Sequence, residues 1–200
     1  MRITYVPDLG KQQVSDESLV KRCQTGDSLA FETLVVRYQR QIFSLIHRMT
    51  NNPEVVEDLA QDVFISAFKA IGEFKGNSSF FTWLYRIAIN KCKNYLTSLK
   101  GSPIPLGDKR SEGENFLLDI ADRRTNPQTA LLAGELLEQI DEALESLPED
   151  QKMALILYDL EGLSYQEIAE ILHCPIGTVR SRLARARLTL KEKLKAYFTE

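Results

Sequence analysis

The chain has 200 residues, of which 25 are lysine or arginine and 28 are aspartate or glutamate, for a net charge of −3. This balance excludes a protein that coats nucleic acid through overall positive charge, and a hydrophobic content of 44% excludes a disordered chain. The three cysteines and two histidines are scattered, which argues against a zinc site or a disulfide framework and favours a reducing cytoplasm, with no metal and no cofactor.

The first 100 residues predict a helical domain. Residues 1–14 form a tail without the apolar segment of a signal peptide, and no run in the chain approaches membrane-spanning length. Apolar residues then recur with helical spacing, and no strand pattern of useful length appears. Ser15 and Asp27 are placed to begin two helices. The predicted helices of this domain, residues 15–100, run from 15 to 26, 27 to 49, 54 to 71 and 80 to 98, with a polar loop at 72–79.

The third of these helices has an apolar side and an acidic side. An isoleucine between two aspartates suits a surface that binds a basic, partly apolar protein, and it equally suits a solvated acidic face with one stray isoleucine. The residue pattern alone favours neither interpretation. The core side holds Ala60, Val63, Phe64, Ala67, Phe68 and Ile71. The opposite side holds Asp58, Asp62, Ile65, Ser66 and Lys69, with Glu57 and Gln61 at its edge.

The fourth helix places the single tryptophan, Trp83, on its polar side. Aromatic area beside arginine, lysine and asparagine is the chemistry that holds unstacked bases, and the preceding loop offers donors for a flipped base. The alternative is that Trp83 and Ile87 pack on another helix of the domain. The polar side holds Trp83, Arg86, Ile87, Asn90, Lys93 and Asn94, opposite the apolar Leu84, Tyr85, Ala88, Cys92, Tyr95 and Leu96, and the loop donors are Lys75, Asn77 and Ser78.

Periodicity is lost over residues 101–126, which we interpret as a flexible linker between two small helical domains. Helices resume at about residue 127, and the second domain, 127–200, has segregated charge. Residues 135–161 carry nine acids and a single base, whereas residues 176–195 carry seven bases and a single acid. A local basic face on an acidic body favours site-specific contact with DNA.

The basic segment has the pattern of a helix-turn-helix. Ser164 and Glu167 form a capping box at the start of a first helix, and His173 to Pro175 break it before a second helix from about Thr178 to Leu190. The alternative is a basic amphipathic helix with a solvated face. The second helix has a core side of Val179, Leu183, Ala186 and Leu190, an opposite side of Thr178, Ser181, Ala184, Arg185 and Leu188, and flanks of Arg180, Arg182 and Arg187 that could reach phosphates.

Five strings of the sequence, in this order, resemble the extracytoplasmic-function (ECF) sigma factors of the sigma-70 family, and most closely their sigma-E-like branch. The resemblance covers nearly the whole chain from about Ser15. The strings are GDSLAFE at 26–32, DLAQDVF at 58–64, FFTWLYRIAIN at 80–90, SLPED at 146–150 and CPIGTVRSR at 174–182.

This resemblance implies a function for each surface: docking on the beta-prime clamp helices of RNA polymerase, capture of the melted minus-ten element, and recognition of the double-stranded minus-thirty-five element. The implied docking residues are Glu57, Asp58, Gln61, Asp62, Phe64 and Ile65. The implied minus-ten residues are Phe74, Lys75, Asn77, Ser78, Trp83, Arg86, Asn90, Lys93 and Asn94. The implied minus-thirty-five residues are Gly177, Thr178, Arg180, Ser181, Arg182, Ala184, Arg185 and Arg187.

The resemblance therefore implies a cytoplasmic promoter-specificity subunit of core RNA polymerase, monomeric by itself, with a linker that threads toward the polymerase cleft. It further implies control by an anti-sigma factor, often membrane-anchored. Such a protein is not an enzyme, and so few histidines and cysteines leave little for a helical enzyme to catalyse with. The alternatives are a response-regulator-like factor, which would need an α/β domain, and a helix-turn-helix regulator that acts without core polymerase.

Overall fold

The computed structural model describes residues 14–100, 139–140 and 142–195. The predicted linker at 101–126 lies outside these residues, as do most of the predicted tail and the start of the second domain. Within the described residues the fold is all-α, as predicted, and no strand is present. None of the described helices is both long and apolar enough to cross a membrane. The α-helices with described bounds are α1 (Asp16–Gln24), α2 (Ser28–Thr50), α3 (Val56–Ala70), α4 (Phe80–Lys100), α5 (Glu149–Leu155), α6 (Tyr165–Leu172) and α7 (Ile176–Lys193). Residues 139–140 and 142–145 are also helical.

The first two helices begin at the residues that the sequence predicted. The Ser15 hydroxyl accepts a hydrogen bond from the Ser18 amide at 3.3 Å, and the Asp27 carboxylate accepts one from the Ala30 amide at 3.1 Å. The Arg22 guanidinium also donates to Asp27. This hydrogen bond is the largest cause of the pKa of the Asp27 carboxyl lying below its usual range. Gly26 permits the tight turn between the helices because its φ is +96°.

Short irregular segments join the remaining elements. A 3-10 turn at Pro53–Val55 leads into α3, and a second at Ile71–Glu73 follows it. In the C-terminal half, α5 continues into a π-helical segment, Ile156–Leu160, which the sequence analysis did not predict. In a π-helix an amide bonds the carbonyl five residues earlier instead of four, as the Glu161 amide does with the Ile156 carbonyl at 3.0 Å.

The core of the N-terminal domain forms where α2, α3 and α4 pack together. Ile42, Ala60, Val63 and Leu84 are completely buried there. The corresponding core of the C-terminal domain lies among α5, α6 and α7. Its completely buried residues include Met153, Ile156, Leu157, Ile168, Val179 and Ala186.

The two domains contact each other in the structure. Helix α4 packs against α6, and the Glu161 carboxylate accepts hydrogen bonds from Arg48 of α2 and from Tyr85 of α4. The side-chain amide nitrogen of Asn51 also donates a hydrogen bond to the Glu145 carboxylate. Burial beside Glu161 raises the pKa of the Tyr85 phenol, so this group stays protonated and acts as a donor.

Candidate protein and nucleic-acid interfaces

Helix α3 presents an exposed acidic surface, which we call the α3 face and define as Glu57, Asp58, Gln61, Asp62 and Ile65. All five side chains are exposed, as the sequence predicted, and Ile65 keeps 44% of its surface accessible. Asp62 contacts Lys91 of α4 at 3.4 Å, but its side chain remains 60% exposed. The carboxylates are therefore accessible to a basic partner.

An apolar groove lies next to the α3 face. It has a volume of about 360 Å³, and its lining residues are Phe31 and Val35 of α2 and Gln61, Phe64, Ile65, Phe68 and Lys69 of α3. The predicted core position of Phe68 is wrong, because Phe68 is 52% exposed. Its ring instead contacts the Phe31 ring edge-on, with centroids 5.0 Å apart. Acidic groups beside an exposed aromatic groove are the mixture expected of a docking surface.

The loop between α3 and α4 borders a second cavity, of about 890 Å³, formed with α1 and α2. Lys75 and Asn77 are exposed on this loop, and Ser78 is half-buried. Gly76 adopts a φ of +70°, which few other residues tolerate, and this lets the loop turn sharply. The structure thus places the three predicted loop donors at the edge of one cavity.

The expectation that Trp83 lies on an exposed polar face is wrong. Trp83 is only 8% exposed, and its ring packs against Phe74 at 5.0 Å and Phe80 at 5.7 Å between centroids. The reason is that the loop folds back over the first turn of α4, so this turn is covered on a side that a helical wheel assigns to solvent. Trp83 is therefore buried within the domain, but these ring contacts come from the loop and from α4 itself, whereas the predicted alternative placed it against another helix.

The other residues of that α4 side differ in exposure. Asn90 and Asn94 are exposed, whereas Arg86, Ile87 and Lys93 are half-buried. The polar stripe predicted from the sequence therefore begins one turn after Trp83. It continues along α4 in the direction away from the loop.

Helices α6 and α7 form the predicted helix-turn-helix. Both halves of the capping box are present, since the Ser164 hydroxyl accepts from the Glu167 amide and the Glu167 carboxylate accepts from the Ser164 amide. His173 ends α6 in a left-handed conformation with a φ of 50°, and Pro175 precedes α7. The predicted core side is confirmed: Val179, Leu183 and Ala186 are buried, and Leu190 packs beside them.

The outward side of α7 is accessible. Ser181, Ala184 and Arg185 are exposed, Gly177 is exposed at the start of the helix, and Thr178 is half-buried. Arg185 makes no hydrogen bond or ion pair to any residue that the structure describes. Its guanidinium is thus available to a ligand.

The flanking arginines of α7 are held by acids and by aromatic rings. Arg182 pairs with Asp150 at 2.5 Å, and Arg187 pairs with Asp159 at 2.6 Å, which raises the pKa of the Arg187 guanidinium. Both were expected to contact phosphates. The structure shows that each already has an acidic partner on the C-terminal domain.

A stack of two tyrosines lies between Arg180 and Arg187. The Tyr158 and Tyr165 rings are stacked with centroids 4.9 Å apart, Arg187 lies over Tyr158 at 5.0 Å, and Arg180 lies over Tyr165 at 5.8 Å. Sequence reasoning missed this stack, because the two tyrosines belong to different helical segments separated by the turn at Gly162. The stack fixes the positions of these two guanidinium groups at the protein surface.

Both halves of the chain match family models. The model described as Sigma-70 region 2 matches residues 34–101, and the model described as Sigma-70, region 4 matches residues 137–190. The ECF RNA polymerase sigma-E factor of Escherichia coli is 45% identical over 184 residues, which cover 92% of this chain and 96% of that protein. The chain belongs to the ECF sigma factors of the sigma-70 family. The RNA polymerase sigma-H factor of Pseudomonas aeruginosa is 42% identical over 194 residues, or 94% of this chain and 98% of that protein.

Two solved structures share the fold of this sigma factor. CnrH, solved in complex with the cytosolic domain of CnrY, aligns with a TM-score of 0.65 at 24% identity over 90% of this chain and 97% of that one. RpoE from Bartonella quintana, solved in complex with the anti-sigma factor NepR, aligns with a TM-score of 0.64 at 24% identity over 82% of this chain and 96% of that one.

The matched regions contain the three surfaces described above. The region 2 match includes the α3 face, the loop after it and α4, and the region 4 match includes most of α7. As a member of this family the protein is a transcription initiation factor rather than an enzyme. It recognises promoter DNA as a subunit of RNA polymerase.

Proposed function

We propose that this sigma factor docks on core polymerase through Glu57, Asp58, Gln61, Asp62, Phe64 and Ile65. The supporting observation is that the four polar side chains and Ile65 are exposed together beside the apolar groove, while Phe64 lines that groove. The beta-prime clamp helices would supply the basic and apolar partner, and the beta subunit would contact the rest of the protein. Opposite charge would speed the encounter, and the aromatic groove would contribute most of the affinity.

At the minus-ten element we propose that the loop after α3 receives an unstacked base. Lys75, Asn77 and Ser78 would bond the base or its backbone, while Phe74 and Trp83 support the loop from beneath instead of stacking on DNA. The exposed polar stripe of α4 continues this path for a melted strand. Its residues are Arg86, Asn90, Lys93 and Asn94.

At the minus-thirty-five element we propose that α7 lies in the major groove. The small side chains of Ser181 and Ala184 let the helix approach the base edges, and the unpaired Arg185 is placed for a bidentate contact to guanine. Arg180, Arg182 and Arg187 flank the groove near the phosphates, and Gly177 and Thr178 lie near the DNA backbone at the helix start.

We further propose that the free protein is a cytoplasmic monomer restrained by an anti-sigma factor. This rests on the two relatives of the same fold, one described with the cytosolic domain of CnrY and the other with the anti-sigma factor NepR. A partner with a cytosolic domain is compatible with a membrane-anchored anti-sigma factor. The restrained function would be a stress response.

The experiment that tests this function is transcription reconstituted from purified parts. Core polymerase, the sigma factor and a linear template with both promoter elements are expected to give a transcript of defined start. Omitting either protein should abolish it. A chain that binds the promoter equally well without core, and whose addition to core gives no transcript, would instead be a regulator that acts without polymerase docking.

A further inference from the structure

The side chain of Gln24, the last residue of α1, clamps the start of the loop that follows α3. Its amide nitrogen Nε2 donates to the carbonyl oxygen of Ile71 at 3.0 Å and to that of Phe74 at 2.8 Å. These two carbonyls stand at the two ends of one turn, which the Phe74 amide closes by donating to the Ile71 carbonyl at 3.1 Å. One amide group therefore fixes both ends of the turn from which the loop leaves.

The loop has few other contacts that could fix its direction. Among the residues that the structure describes, Lys75 and Asn77 make no side-chain hydrogen bond, and the Ser78 hydroxyl bonds only the neighbouring Ser79 carbonyl. Beyond the loop, Ser79 bonds Thr82 and begins α4. The Phe74 ring packs on Trp83 and Phe80 and holds the start of the loop from one side. The direction in which Lys75 and Asn77 point therefore depends on this packing together with the turn that Gln24 bonds.

Helix α1 is a rigid support for this clamp. The Asp16 carboxylate accepts hydrogen bonds from Arg37 and Tyr38 of α2, and Arg37 also donates to the Val14 carbonyl at 2.8 Å. Burial raises the pKa of the Tyr38 phenol, so it remains a donor. These bonds anchor α1 to the domain core at the end opposite Gln24.

We infer that Gln24 is a positioning residue for minus-ten recognition, which sets the direction of the base-capturing loop without touching DNA. This inference rests on the proposed function of the loop. Gln24 lies before residue 34, where the match to the region 2 model begins. A loop that is fixed before DNA arrives loses less conformational entropy on binding, and it presents its donors in one direction only.

The test uses full-length variants bound to saturating core polymerase. Gln24→Glu keeps the size of the side chain but replaces the donor with a carboxylate that faces two carbonyl oxygens. Gln24→Ala removes the donor without adding charge. Gln39→Glu is the matched control, because Gln39 is an exposed glutamine of α2 that makes no bond within the described residues.

The measurement is permanganate oxidation of unpaired thymines at the minus-ten element, on promoters that differ in the base captured by the loop. Loss of two hydrogen bonds is expected to lower open-complex formation by about tenfold for Gln24→Glu and by a few fold for Gln24→Ala. The preference for the captured base should shrink as well. Core affinity and the upstream footprint should match those of Gln39→Glu, while the melting temperature of the Gln24 variants is expected to fall by a few degrees because two hydrogen bonds are lost.

Three outcomes distinguish a failure of the inference about Gln24 from a failure of the proposed function of the loop. If Asn77→Ala lowers opening while Gln24→Glu and Gln24→Ala do not, the inference about Gln24 is overturned and the function of the loop stands. If Asn77→Ala has no effect either, the proposed function of the loop fails, and the inference fails with it. If the Gln24 variants lower opening equally at every captured base, Gln24 only stabilises the fold, and the inference is also overturned.

Discussion

Arg48, near the end of α2, forms an ion pair with Glu161, which follows 113 residues later in the chain and belongs to the other domain. The Glu161 side chain is only 9% exposed, and the Arg48 side chain only 16%. Tyr85 donates to the second carboxylate oxygen at 2.7 Å. A single carboxylate therefore joins α2 and α4 of one domain to the turn that precedes the helix-turn-helix of the other.

Replacing this carboxylate should destabilise the free protein. Glu161→Ala leaves a half-buried guanidinium and a buried phenol without their acceptor, which should cost about 2 to 4 kcal/mol of unfolding free energy. Urea unfolding measures this cost. Glu170→Ala is the control, since Glu170 is exposed on α6, and it should change stability by less than about 0.5 kcal/mol. Equal stability of the two variants would show that the pair does not join the domains.

The outward arginine of α7 should read a base. Arg185→Ala is expected to weaken binding of the holoenzyme at the upstream element by about 1 to 3 kcal/mol and to relax the base preference at one position. Arg187→Ala, which removes an arginine paired to Asp159, should weaken binding uniformly across sequences. Competition binding with single-base variants of the element distinguishes the two. An unchanged base preference in Arg185→Ala would exclude its role as a reader.

Tyr165 should act through Arg180. Tyr165→Leu keeps apolar bulk but removes the ring beneath the guanidinium, so upstream-element affinity should fall by about two- to fivefold, as expected for one exposed cation–π contact. Tyr165→Phe keeps the ring and should stay close to the wild type. Fluorescence anisotropy with a labelled upstream duplex and holoenzyme measures both. If the leucine and phenylalanine variants bind alike, the stack does not position Arg180.

A charge reversal on the α3 face should affect core polymerase only. Asp62→Lys is expected to weaken core binding by at least tenfold, because it replaces attraction to a basic partner with repulsion. Glu17→Lys makes the same change of net charge on α1 and serves as the control in a core pull-down. Folding of each variant is checked by thermal unfolding. Retained core affinity in Asp62→Lys would mean that the docking surface lies elsewhere.

The three cysteines should differ in reactivity. Burial raises the pKa of the Cys92 thiol from 9.0 to about 12, so at pH 9 its reactive thiolate is scarce in the folded protein and abundant after unfolding. The proton retained by the folded form also means that Cys92 contributes stability below pH 9 that is lost between pH 9 and 12. Iodoacetamide labelling read by mass spectrometry should modify the half-buried Cys174 first and Cys92 only in urea. If Cys92 of the folded protein is labelled as fast as Cys174, the burial of Cys92 in α4 is contradicted.

Helix boundaries were predictable because they depend on local chemistry. Ser15, Asp27 and Ser164 cap their helices through their own side chains, and the core side of α7 follows from apolar spacing alone. The acidic side of α3 was predicted for the same reason. Capping hydrogen bonds and helical periodicity depend on residues that are close in sequence, so both can be predicted from a single sequence.

The errors concern contacts between distant segments. A helical wheel places Trp83 in solvent, but the preceding loop returns to cover it. The helical wheel also places Phe68 in the core, but α2 covers only part of the ring, which stays half exposed beside Phe31. The Tyr158 and Tyr165 stack and the Gln24 clamp also join separate segments. None of these contacts leaves a local pattern, because each depends on how helices pack in three dimensions.

The central claim is that one chain, held by core polymerase, contacts two promoter elements and melts the second. The most direct measurement is a combined DNase I and permanganate footprint on a promoter fragment with purified sigma factor and core. We expect protection of the upstream element together with permanganate-reactive thymines at the minus-ten element, and neither signal with either protein alone. Protection of the upstream element without core, combined with thymines that stay unreactive when core is added, would contradict it.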